Sequence, residues 1–205
     1  MIINFTDKHQ FHTRLQLKGQ TIEIVPKMKI LGTVVTDRLS WDENCAILVK
    51  KVNAWMQLLK TVWSFGFSKE ELVHLWKIFC RSILEQTCVL WDSGLTEQNR
   101  TDLERTQKTF TKLVLQEEYT DYKSALLTLQ LETLEIRQKT LSLNFAMFSL
   151  ADGLLRDLFP LRRKAHLMKT RSKDKYKITH ANTERFKNSH VLTKQSMLNR
   201  EELTK

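Results

Sequence analysis

The chain of 205 residues is short of the things most enzymes are recognised by. Its three cysteines (Cys45, Cys80, Cys88) cannot all pair, and no two stand in a CxxC arrangement. That excludes a disulfide framework and a cysteine zinc site, and it predicts buried thiols in a reducing, intracellular compartment. With five glycines in all, the chain has no GxxxxGK[ST], GxGxxG or GxSxG, so phosphate loops and nucleophile elbows are out. HExxH is absent and the six histidines are scattered. No two aspartates are adjacent, and pairs such as Asp42-Glu43 and Glu70-Glu71 stand at predicted helix starts, where the helix dipole explains them. Nothing assembles a two-metal phosphoryl-transfer site. No apolar run approaches the roughly 18 residues a bilayer span needs, and the opening MIINFTDKHQF is not a secretory signal. The expectation is a protein without catalytic activity of its own, with no membrane partner.

What is present is cationic charge, unevenly placed. The net charge is +10, and residues 161–205 hold 13 Lys/Arg against 4 Asp/Glu, leaving 20 against 19 in residues 1–160. A basic segment on a near-neutral body suits a polyanion, usually nucleic acid; the alternative is a solvated tail with no particular partner.

Along the chain the period changes once. Residues 1–37 read as strands: MIINFT, then HTRLQLKG and QTIEIVP joined at Lys18-Gly19-Gln20, then KMKILGTVVT with Gly32 inside it. A glycine within a strand predicts a bulge or a close backbone approach. From Ser40 the apolar residues recur every three or four positions. Ser40-Trp41-Asp42-Glu43 and Ser68-Lys69-Glu70-Glu71 both fit capping boxes. The first helix is predicted to bury Cys45, Leu48, Val52, Trp55, Met56 and Leu59; Gly66 ends it. The second runs through Leu72, Trp76, Phe79 and Leu84 to Leu90. Thr96 caps a third, Asp121 to Leu129 is a short fourth, and Thr133 to Ala151 a fifth, closed by Gly153. All five tryptophans fall at or within predicted helices, as core residues. After Pro160 the pattern fades, with a helical turn or two near residues 194–203. The predicted fold is mainly α: a small N-terminal antiparallel β piece (1–38), a bundle of about five helices (39–160) and a basic, poorly ordered tail (161–205).

These motifs, in this order, resemble a known family. MIINFTDKHQFHTRLQLKGQTIEIVPKMKILGTVVTDRLSWDEN is similar to the segment after the catalytic core in reverse transcriptases of non-LTR retrotransposons, jockey-like elements in particular. There a strand ending MIFNFT runs into a hairpin, then a K-x-LG-x-x-x-[TD] strand, then LxW at the start of the thumb helices. The likeness continues through VKKVNAWMQLLKTVWSFGFSKEEL, FCRSILEQTCVLWDSGLTEQNRTDLERTQK, LETLEIRQKTLSLNFA, LFPL and HANTERFKNS, covering about residues 1–190.

The resemblance implies an RNA-directed DNA polymerase region: the end of the palm, a primer-grip hairpin at Leu31-Gly32 and a thumb that holds the template–primer. The implied partners are RNA or RNA–DNA duplex, bound without sequence preference, and the fingers and palm of a full-length polymerase. The implied contacts are Lys29, Leu31 and Gly32 at the hairpin, and Lys50 and Lys51 on the first helix, with Lys60 beyond. In the tail they are Arg162, Arg163, Lys164, Lys169, Arg171, Lys173, Lys175 and Lys177. Lys50 and Lys51 also fit the solvated face of an amphipathic helix. The family's catalysis uses two divalent metal ions, Mg²⁺, on paired aspartates that these residues lack, so no cofactor is expected in this chain and it is read as a fragment inactive alone. The alternative is a helical protein-interaction module whose basic tail binds an acidic surface. LRRKAH is a weak nuclear-import run, leaving nucleus and cytoplasm both open. Residues 1–37, with few sheet partners, are expected to be less stable than the helices.

Overall fold

The computed structural model describes residues 2–5, 16–151, 155–159, 176 and 178–201. The fold is mainly α, with two small antiparallel strand pairs ahead of the helices. The first pair, β1 (Gln16–Leu17) and β2 (Gln20–Thr21), turns at Lys18 and Gly19, both at positive φ. Ile2 contributes a single bridge to Ile24 rather than the predicted strand over MIINFT. The second pair, β3 (Lys27–Ile30) and β4 (Thr33–Thr36), runs in register from Lys27 opposite Thr36 to Ile30 opposite Thr33.

Gly32 therefore lies outside the strands, as the second residue of a two-residue turn, with Leu31 at φ 47° and Gly32 at φ 91°. Two positive φ values in succession give the turn twist that matches antiparallel strands, and glycine takes that conformation without strain.

Helix α1 (Asp42–Ser64) begins at Trp41 without a side-chain cap. The predicted box at Ser40 does not form: its hydroxyl donates to Asp42 Oδ2 at 2.6 Å, while Glu43 turns back to Lys27 Nζ at 2.7 Å. The second box does form at Ser68 and Glu71, opening α2 (Lys69–Leu75). A single π turn over Trp76–Arg81 follows, then α3 (Ser82–Glu85), a break at Gln86-Thr87, and α4 (Cys88–Trp91). The sequence held a sign of the π turn. The buried residues Leu72, Trp76, Cys80, Leu84 and Cys88 stand four apart without a three-residue step. On an α-helix that spacing drifts about 40° per step; a widened turn returns the stripe to one side.

After the 3-10 turn Asp92–Gly94, Thr96 caps α5 (Glu97–Leu115), accepting from the Asn99 amide. Asp121 caps α6 (Tyr122–Thr128). Helix α7 (Leu134–Ala151) starts where Glu104, reaching from α5, accepts from the Leu134 amide at 3.0 Å. The Tyr122 hydroxyl donates to the same carboxylate, whose burial pushes its pKa upward. Helices α8 (Glu184–Lys187) and α9 (His190–Glu201) complete the described residues, α9 being longer and starting earlier than the predicted turns near 194–203. Gly153, Pro160 and the tail cations at 162–177 lie outside the described residues.

The main core joins α1, the helical run 69–91, α5, α6 and the start of α7. Trp76 stacks on Phe110 at 4.5 Å, and both, with Trp91, are fully buried; burying each such side chain is worth about 2–3 kcal/mol. Cys45, Cys80 and Cys88 are free and buried, and burial raises each thiol to about 12. No helix among the described residues is long and apolar enough to cross a membrane.

A smaller cluster, Ala146, Phe159, Tyr176 and Leu198, seats α9 against α7. Beside it Lys194 is 1% exposed, donates to the Val89 carbonyl and lies 4.6 Å above the Phe145 ring. Burial pushes its ammonium down from 10.5 to about 8. Between those values the unfolded chain holds a proton that the folded chain has released, so stability increases as pH rises. The cysteines act oppositely above pH 9, where the unfolded thiols ionise and the folded ones do not. The denaturant midpoint of the wild type should therefore gain on that of Lys194→Met from pH 7 to pH 9, a difference the cysteines do not affect because both proteins carry them.

Candidate nucleic-acid interface

Of the predicted contact residues in the described part, Lys29, Leu31 and Gly32 lie on the β3–β4 hairpin, while Lys50, Lys51 and Lys60 stand along α1. The hairpin meets the helices at the start of α1 and at Gln86-Thr87. Four hydrogen-bonding contacts fix the hairpin there. Lys27 pairs with Glu43 on α1, an exposed ion pair of small worth. The Val34 amide donates to the buried Asn44 Oδ1 at 3.2 Å. At the tip, the Gln86 side-chain amide donates to the Leu31 carbonyl at 3.2 Å, and the Thr33 and Thr87 hydroxyls meet at 2.6 Å. Thr87 spends its own proton on the Gln86 carbonyl, so Thr33 is the donor.

Gly32 thus has an internal reason to be glycine. A Cβ there would stand 2.8 Å from Gln86 Nε2, at a φ that L-residues rarely adopt. Leu31 beside it is 89% exposed, the most exposed large apolar side chain described. The tip offers solvent an apolar residue and keeps its glycine turned to the protein. Lys29 is exposed on β3.

The two adjacent lysines of α1 part company, because successive helical residues point about 100° apart. Lys50 lines a groove of about 600 Å³ between α1 and α5, with Cys45, Val49 and Asn53. Its rim is mixed in sign: Asp42 and Asp102 face Lys50 and Arg105. Arg105 pairs with Asp102 at 3.0 Å. Asp42 accepts from Ser40 and Asn99, and those bonds hold its carboxyl below the usual range. The groove therefore does not present a continuous positive surface.

Lys51 lies instead one turn before Trp55, on the flank of α1 that meets the π turn. Trp55 stacks there on Phe79 at 4.6 Å with 13° between planes. Both aromatics read as core residues in the sequence, yet Phe79 is 37% exposed. The four-residue stripe through Trp76 and Cys80 carries the signal: it leaves Phe79 off the buried line. Among the described residues no group of acidic, histidine and cysteine side chains could hold a metal ion.

Gly32→Ala should lower stability by about 1–2 kcal/mol, the cost of a left-handed alanine, seen as a drop of several degrees in the melting midpoint. Adding Gln86→Ala removes both the clash and the bond to the Leu31 carbonyl, so the double variant should lose less stability than the sum of the two single variants if the tip packs as described.

No family model matches the chain, and no curated protein or solved structure matches it.

Proposed function

We propose that the chain is the template–primer-holding region of an RNA-directed DNA polymerase of the non-LTR retrotransposon kind, binding RNA or RNA–DNA duplex without sequence preference. One observation carries the reading: a two-residue hairpin with an exposed apolar tip and the exposed cation Lys29 is pinned to the entry of a helical bundle, with Lys51 on the first helix of that bundle. A pinned hairpin can hold a strand end where a loose one would yield, and preorganised placement of that kind is what positioning requires. The order of motifs from MIINFT through KMKILG to LSW supports the same reading. The basic residues from Arg162 to Lys177 add the charge that a duplex backbone attracts. The two Mg²⁺ ions of such polymerases need paired aspartates, so this chain holds nucleic acid without copying it. Its place is intracellular, where both nucleic acid and reduced thiols occur.

A second reading rests on α7. Its small and polar residues Gln138, Ser142 and Ser149 face the bundle, while Ile136, Met147 and Phe148 face out. Three exposed apolar side chains on one helix suit a protein partner, which makes a helical interaction module the alternative.

Fluorescence anisotropy with a labelled RNA–DNA hybrid separates the two. With six to eight phosphates neutralised, affinity should fall about 10³- to 10⁴-fold between 50 and 200 mM salt. A fall of less than about tenfold over that range, or no binding at low salt, overturns the nucleic-acid reading.

A further inference from the structure

We infer that the Trp55–Phe79 pair and Lys51 form a stacking site for an unpaired nucleobase beside the duplex; this rests on the nucleic-acid reading above. Sequence periodicity places both rings in the core, and the π turn Trp76–Arg81 is what changes that. It keeps Trp76 and Cys80 inside, each fully buried, and leaves Phe79 on the surface between them. Single π turns inside α-helices are frequent at functional sites, and this one both completes the buried stripe and sets Phe79 at the surface.

The pair is already arranged as a stack. Its planes are nearly parallel and 4.6 Å apart at the centroids. Trp55 is part-buried against the main core and covers one face of Phe79, which is 37% exposed, so a ring that stacks on Phe79 must come from the side away from Trp55. A third planar ring laid on that side would extend the stack. Every base has a π face, and base–aromatic stacking is sequence-tolerant, which agrees with binding that reads no sequence.

The charge beside the stack points to the same ligand. Lys51 stands at i−4 from Trp55, on the same flank of α1. It makes no ion pair with any described residue. A base stacked on Phe79 carries a phosphate on either side, and an unengaged ammonium one turn away can receive one. Leu58, half exposed and one turn beyond Trp55 near the same flank, supplies apolar contact without competing charge. A wholly apolar partner surface would leave that ammonium desolvated and unpaired, at a cost.

Base pairs inside a duplex cannot reach such a platform, because both their faces are covered by neighbours, and a blunt end offers only one rigid paired face where an overhang offers a free base. The site therefore discriminates by strandedness. The full chain is titrated by anisotropy with a blunt RNA–DNA hybrid and with the same hybrid bearing a short single-stranded overhang. The overhang should bind about 5- to 150-fold tighter, the range for one stacked base. Phe79→Leu keeps an apolar side chain at a surface position and should erase that difference while leaving the salt slope unchanged. Lys51→Gln should reduce the slope by about one. Equal affinities for blunt and overhanging hybrids, or a preference that survives Phe79→Leu, overturn the stacking site and leave the duplex-binding reading standing. Absence of binding to either hybrid overturns both. Self-association of the chain that Phe79→Leu abolishes, with hybrid affinity unchanged, assigns the platform to protein contact and overturns the inference as well.

Discussion

The break at Gln86-Thr87 is the constraint on which the rest of the structure leans. Thr87, a β-branched residue, holds φ at 53° in the midst of a helical run. Such a conformation costs about 1–2 kcal/mol and persists only where neighbours over-determine it. Here they do. The Gln86 carbonyl accepts from both the Trp91 indole at 3.1 Å and the Thr87 hydroxyl at 2.7 Å, and Leu90 donates to the Thr87 carbonyl. The Gln86 side chain then reaches Leu31, and the Thr87 hydroxyl receives Thr33. Two residues later the Val89 carbonyl takes the Lys194 ammonium. A six-residue stretch thus fastens the hairpin on one side and the last helix on the other.

Two kinds of connection hold these parts, and they differ in strength. Two of the four contacts that join the hairpin use its backbone, the Val34 amide and the Leu31 carbonyl, and the Val34 amide, being buried, must be paired. That couples the second strand pair to the bundle far more closely than the first pair, whose strands are two residues each and exposed throughout. The expectation that residues 1–37 are less stable than the helices bears most on that first pair. The last helix is joined by a small apolar cluster and by a buried ammonium without a carboxylate of its own, since Asp92 is already engaged by Arg100 at 3.1 Å. A buried charge satisfied by one carbonyl and one ring face gives direction to the docking more than it gives stability.

The proposed function draws on the same geometry. A strand end can be positioned only by something that is itself held, and the tip at Leu31-Gly32 is held from within the protein. The surface features that would meet nucleic acid are left over once that internal work is done: Leu31, Lys29, Lys51 and the outer side of Phe79. Lys50, one residue from Lys51, belongs to a groove where acids and bases balance. The 100° step between helical neighbours separates two residues that the sequence sets side by side.

The sequence by itself determined the helical body, the position of the first hairpin and most of the caps. Those are local matters: Ser68 with Glu71, Thr96 with Asn99, Asp121 with Ser124, and Lys18-Gly19 as a turn all form with partners within three or four residues. Where the partner is distant, the sequence could not speak. Ser40 and Glu43 have the spacing of a box, but Lys27 offers Glu43 a competing partner across the chain. At α7 the local cap Thr133, which accepts from the Ile136 amide at 3.3 Å, is joined by Glu104, thirty residues away, which takes the Leu134 amide. Gly32 reads as a strand glycine until the turn and Gln86 show what fills the space beside it. The exposure of Phe79 follows from the four-residue stripe beneath it, a pattern present in the sequence. The π turn that resolves it forms because the core demands one buried face. Periodicity and capping are properties of neighbouring residues. Which face stays open, and which charge stays unpaired, were decided only when distant parts of the chain packed together.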